Sequence, residues 1–124
     1  MHRSLFTRTV TSAGRVALTR NVVTLSKVGA KENIVRLAMD SPPVNSLNLA
    51  LIKDIKAGLE DAETTAGCKG IVLSSSCRVF CAGLDLNELH EGTPEHLFEF
   101  WQNFQDMLFS LYYSDKAVVA ELSG

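Results

Sequence analysis

An α/β domain built on a mostly parallel sheet is what this sequence predicts, and three observations predict it. Short β-branched or alternating runs recur along the chain, apolar stripes at helical spacing lie between them, and the two kinds of segment alternate. The resulting order of strand, helix, strand, loop, helix, helix, strand requires crossover connections, which place neighbouring strands parallel. A sheet of that kind needs both faces covered.

The elements follow in order. "VVTLSKV" at 22–28 and "NIVRLAM" at 33–39 flank a "GAKE" turn containing Gly29, and read as a hairpin. In "DSPPVNSLN" at 40–48, Pro42 and Pro43 forbid a central strand, while Asn45 and Ser46 supply turn and cap oxygens. Leu47, Leu51, Ile52, Ile55, Leu59 and Ala62 then recur at helical spacing, and Gly67 helps to end that helix. "GIVLSSS" at 70–76 is a short apolar run suited to a buried strand. Asp85 and Glu88 stand at capping-box spacing ahead of helix formers, so an N-cap is the preferred role for Asp85 over that of general acid.

Thr93-Pro94-Glu95 combines a cap oxygen, a proline at the first helical position and an early carboxylate at the positive end of the helix dipole. Leu97, Trp101, Phe104, Leu108, Leu111 and Tyr112 continue it as a wide apolar stripe, which reads as core or interface. "AVVAEL" at 117–122 reads as a further buried strand with Glu121 near its end. A fresh strand with no successor suggests the front part of a larger domain.

Charge divides the chain unevenly. Six basic residues, from Arg3 to Lys31, precede the first acidic one, Glu32, whereas 32–124 hold six basic and fourteen acidic residues, a formal charge of −8. An Arg-bearing, Ser/Thr-rich, acid-free start without an apolar segment has the composition of a mitochondrial presequence, here taken as 1–28, although its arginines do not gather on one helical face. A disordered basic tail is the other reading. The acidic remainder argues against nucleic-acid binding, which needs basic patches, and no apolar run approaches the length of a membrane span.

Cys68, Cys77 and Cys81 make an odd count with no secretory signal, so reduced thiols are expected. Cys77, Cys81, His90 and His96 run loosely at zinc-ligand spacing. Eight residues between the pairs and a helical setting for His96 favour thiols and surface histidines instead, so no metal is expected.

The stretch "RVFCAGLDL" at 78–86 places a corner of small residues after a strand. Such a corner can aim backbone N–H groups at an oxyanion or a phosphate, because small residues let a ligand approach the main chain. Neither a G-x-G-x-x-G nor a Walker pattern is present, which disfavours nucleotide phosphate. An ordinary strand-to-helix turn fits the same residues.

"VFCAGLDL" resembles the oxyanion-hole segment of the crotonase (enoyl-CoA hydratase/isomerase) superfamily. "MDSPPVNSLNLALIKDI" resembles that superfamily's earlier P-x-x-N-[SA]-L turn and helix, and "KGIVLSSS" the strand between them. The pairing of "PPVNSLN" with "RVFCAGLDL" is most similar to the mitochondrial enoyl-CoA isomerase branch. The resemblance implies a crotonase-like ββα spiral, incomplete, with 29–124 its N-terminal portion.

It also implies a reaction, the isomerisation of 3-enoyl-CoA to 2-trans-enoyl-CoA in fatty acid β-oxidation, in the mitochondrial matrix. Enoyl-CoA hydration and non-catalytic acyl-CoA binding are the alternatives. By the same resemblance Ala82 N–H is an oxyanion donor, Gly83, Leu84, Asp85 and Leu86 line the acyl-pantetheine cleft, and Pro43 and Val44 contact the CoA moiety. Coenzyme A enters as part of the substrate and no separate cofactor is implied, while a homotrimer is implied for the full-length protein. The second donor and the catalytic glutamate of complete members lie beyond Gly124, so this chain is expected to carry half of an active site and to be inactive alone.

Overall fold

The computed structural model describes residues 7–10, 16–20 and 22–123. Six strands, β1 (Thr7–Val10), β2 (Val16–Arg20), β3 (Val23–Val28), β4 (Ile34–Met39), β5 (Gly70–Ser75) and β6 (Ala117–Ala120), form one sheet in sequence order. Three helices accompany them, α1 (Leu49–Thr64), α2 (Leu86–Glu91) and α3 (Pro94–Tyr112).

The expected mostly parallel sheet is corrected to a mixed one. β1 to β4 form an antiparallel meander, and only β4–β5 and β5–β6 are parallel. The cause is connection length: connections of five residues or fewer are too short for a crossover and leave antiparallel neighbours, whereas α1 and the α2–α3 segment are long enough for crossovers. The hairpin at 22–39 forms in the expected register, with Val28 opposite Ile34 and Val23 opposite Met39. β1 and β2 precede it, inside the stretch read from composition as a leader.

Alternation on the strands sets the core. Val23 and Leu25 of β3, Val35, Leu37 and Met39 of β4 and Ile71 of β5 are buried, and meet Leu51, Ile52, Ile55, Leu59 and Ala62 of α1. α1 lies directly on the sheet, and Gly58 makes the close approach possible: a Cβ there would stand 2.3 Å from the Leu37 side chain. α3 packs on α1 as an outer layer through Phe100 and Met107.

Two expectations change at this level. The buried stripe of α3 runs through Phe100 and Met107, with Leu97, Phe104 and Leu111 partly buried, whereas Trp101, Leu108 and Tyr112 are exposed. An aromatic-rich helix with apolar residues on two faces does not declare which face is inward. β6 is an exposed edge rather than a buried strand, with Val119 58% exposed. Glu121 follows it and pairs with Arg36 at 3.1 Å, on the sheet face where Arg36 also donates to Ser74.

Between the helices, Lys53 pairs with Glu99 at 2.5 Å and Lys56 with Asp106 at 3.2 Å. The hydrogen bond from Lys53, and then its charge, holds the Glu99 carboxyl below the ordinary carboxylate range. Such surface pairs fix helix orientation more than they stabilise.

Candidate functional site

The two motif stretches, 41–48 and 75–86, lie side by side at the C-terminal ends of β4 and β5. Their joint is Asn45, fully buried and in the left-handed region at φ +51°. Asparagine tolerates that conformation better than most residues. Its Oδ1 accepts from Ser41 N–H at 2.7 Å, and its Nδ2 donates to Ser75 Oγ at 2.8 Å and to the Phe80 carbonyl at 3.0 Å. Ser75 extends the joint by accepting from Cys77 N–H and donating to the Val79 carbonyl.

Both neighbouring thiols turn toward the same residue. Cys77 Sγ lies 3.4 Å from Asn45 Oδ1, and Cys81 Sγ lies 3.2 Å from the Asn45 carbonyl while accepting from Gly83 N–H. The four residues at loose zinc spacing are not gathered, and no group of three or more metal-ligating side chains occurs among the described residues.

A second joint lies one step on. Leu47 N–H donates to the Gly83 carbonyl at 2.8 Å and Asp85 N–H donates to the Leu47 carbonyl at 3.1 Å, a parallel bridge centred on Leu47 and Leu84. A trans peptide sets its C=O and N–H on opposite sides. Since the Gly83 carbonyl points at Leu47, the N–H of the same peptide, that of Leu84, points away from loop 41–48. Among the described residues it has no acceptor.

Ala82 N–H, in contrast, is already donated to the Val44 carbonyl at 3.0 Å. At this corner Ala82 therefore ties the two loops together, and the amide left facing outward belongs to Leu84. Gly83 sits at φ +91°, with open space where a Cβ would be. The glycine is required by the backbone turn, and the space beside it leaves room for a ligand.

The remaining expected site residues surround the corner. Val44 is half-buried against Ala82, Pro43 is exposed next to it, and Leu86, 75% exposed, begins α2. Asp85 is the N-cap of α2, its Oδ1 accepting from Asn87 N–H at 3.1 Å and Glu88 N–H at 3.2 Å. Asp85→Ala is expected to lower stability by about 0.5–2 kcal/mol and Asp85→Asn far less, because an amide oxygen caps nearly as well. Urea midpoints of the two variants decide this; equal losses would give the negative charge, rather than the cap, the essential role.

Asn45 as a joint was not read from the sequence, which assigned it only a turn or cap oxygen. The cap of α1 is Asn48, whose Oδ1 accepts from Leu51 N–H at 2.8 Å. Glu88 also departs from the capping box, accepting instead from Leu49 N–H and meeting His96.

The pattern of the enoyl-CoA hydratase/isomerase family matches residues 29–124. Over 85 residues, 68% of this chain, the sequence is 38% identical to enoyl-CoA delta isomerase 1, mitochondrial, of Mus musculus and 35% identical to its Homo sapiens counterpart. The chain spans 29% of the mouse protein's length. The crystal structure of human mitochondrial delta3-delta2-enoyl-CoA isomerase superposes with a TM-score of 0.74 at 31% identity, over 81% of this chain and 39% of that one. An enoyl-CoA hydratase from Geobacillus kaustophilus superposes with a TM-score of 0.76 at 22% identity, over 85% and 39%, a likeness of fold.

Proposed function

The chain belongs to the enoyl-CoA hydratase/isomerase family, with the architecture of the front part of the crotonase fold, and from that premise we propose that its corner holds the thioester oxygen of an enoyl-CoA during isomerisation. The observation that carries the reading is the Leu84 N–H, turned away from loop 41–48 beside an open space and without an acceptor among the described residues. An amide fixed in place before the ligand arrives stabilises developing oxyanion charge without reorganising, an effect worth about 3–4 kcal/mol per donor. Leu84 takes the donor role first expected at Ala82, and Ala82 keeps the corner's shape. Pro43 and Val44 flank the path of the CoA moiety, and Gly83, Asp85 and Leu86 that of the acyl-pantetheine.

In this reading a base takes a proton from C2 of the 3-enoyl-CoA and the electrons move into the thioester as an enolate. The proton returns at C4, leaving the double bond at C2–C3. The described residues supply one oxyanion donor and no carboxylate free of a structural task at the corner: Asp85 caps α2, and Glu88 joins three helices. The chain by itself is accordingly proposed to bind an acyl-CoA without turning it over. Isomerisation is preferred to hydration because the curated relatives at 35% and 38% identity bear the isomerase name, and a mitochondrial place is proposed on the same ground.

The experiment is amide NMR of the 15N-labelled chain with hexanoyl-CoA, a saturated thioester that cannot react. The expected result is a downfield shift of Leu84 N–H on addition of hexanoyl-CoA, absent with free coenzyme A, and no isomerase rate on 3-hexenoyl-CoA. An unmoved Leu84 resonance in a folded chain overturns the donor assignment, and measurable turnover overturns the proposal of binding alone.

A further inference from the structure

We propose that Glu88, acting with His96, is a positioning residue for the oxyanion donor, an inference that rests on the reading of Leu84 above. α1 has no acidic residue in its own first turn. The carboxylate at its N-terminus comes from α2 instead: Glu88 Oε2 accepts the Leu49 N–H, the first amide of α1, at 2.9 Å. The other oxygen, Oε1, lies 2.7 Å from His96 Nε2 in the first turn of α3. One partly buried carboxylate thus joins the N-terminal ends of two long helices to the short helix that starts at the corner.

The placement matters because of what lies between these joints. Loop 41–48 runs directly into α1, and corner 80–85 runs directly into α2. Asn45 fastens the two strands of chain on the side of the sheet, the Leu47 bridge fastens them in the middle, and Glu88 fastens them on the side of the helices. Leu84 lies four residues before Glu88, within the length bracketed by these joints. If α2 turned about the Leu47 bridge, the Gly83–Leu84 peptide plane would turn with it and the donor would swing off the ligand oxygen. Glu88 blocks that rotation by holding α2 to α1, and His96 keeps its carboxylate from choosing another rotamer.

A wholly structural role would show in stability alone, so the test reads the donor directly. Three chains, wild type, Glu88→Ala and Glu88→Gln, are compared in the amide shift and exchange rate of Leu84 without ligand, and in the 13C shift of hexanoyl-CoA labelled at the thioester carbonyl. Glutamine can accept from Leu49 N–H and donate to the other tautomer of His96, so it preserves the geometry without the charge. In Glu88→Ala, the Leu84 amide is expected to move and exchange at least tenfold faster. The bound carbonyl is expected to return toward its free position, while hexanoyl-CoA affinity changes less than about threefold; Glu88→Gln restores both signals.

A Leu84 resonance and a carbonyl shift unchanged in Glu88→Ala overturn the proposal, as does a loss of thermal midpoint in both variants with no recovery of the carbonyl signal in Glu88→Gln. Should the wild-type chain fail to bind hexanoyl-CoA, the functional reading falls, and the Leu84 amide in the unliganded variants still decides whether Glu88 positions it.

Discussion

Asn45→Ala is expected to lower the unfolding free energy by about 2–4 kcal/mol, since the part-buried Ser41 N–H and Phe80 carbonyl each lose their partner at roughly 1–3 kcal/mol, whereas Ser75 Oγ keeps Cys77 and Val79. The variant removes the acceptor of Ser41 N–H and the donors to Ser75 Oγ and the Phe80 carbonyl. Asn45 is fully buried, so water does not replace these partners without opening the loop. Alanine is also less tolerant than asparagine of φ +51°. Asn45→Asp should fare little better, because its second oxygen would face the Phe80 carbonyl where an N–H₂ group now stands. Equilibrium unfolding in urea measures the loss, and a change below about 1 kcal/mol would show that the two motif loops are held chiefly by their backbone bonds.

Removing residues 1–28 is expected to abolish cooperative unfolding, whereas removing 1–21 is expected to preserve it. The difference is β3 and the residue before it. Val23 is fully buried and Leu25 4% exposed, both set into the core against α1, and Val22 N–H donates to the buried carboxylate of Asp54 at 3.2 Å. Two such side chains stabilise a fold by about 1.5–3 kcal/mol each, and small domains hold only about 5–15 kcal/mol in total. A chain beginning at Gly29 also exposes the ladder edge of β4. A presequence as long as 1–28 would take the whole of β3 with it. Circular dichroism melts of the two truncated chains distinguish the cases; a sharp transition in the chain from Gly29 would remove β3 from the cooperative core.

Local patterns were legible where one physical signal dominated. The α1 stripe, the β5 run, the Asp85 cap and the Thr93-Pro94 helix start each rest on neighbours in sequence, and each formed where its pattern put it. The buried face of α3 was not legible, because Phe98, Trp101 and Phe109 place apolar surface around the helix and only docking on α1 selects Phe100 and Met107. β6 had the composition of a core strand, but exposure depends on what stands beside a strand.

The site shows the same division. The corner and its partner loop were recognisable as two motifs, and that they adjoin is a property of parallel β4 and β5, whose C-terminal ends lie together. Which amide faces outward was not recognisable, because that depends on the peptide plane fixed by Leu47. Ala82 and Leu84 differ by two residues, and only the bonds at Val44 and Leu47 tell which N–H is engaged. The second task of Glu88 was hidden by its first: the spacing that reads as a capping box also carries its carboxylate to another helix.

The Gly83–Leu84 peptide is held at its oxygen by Leu47 N–H and presents its nitrogen outward. These are two poles of a single resonating group, so electron withdrawal at the oxygen leaves the N–H more acidic and a better donor. A ligand oxygen at the nitrogen would in turn push density back and tighten the Leu47 bond. On the proposed reading, occupancy would be felt in loop 41–48 by polarisation, and the 15N shift of Leu47 should register an acyl-CoA that never touches it.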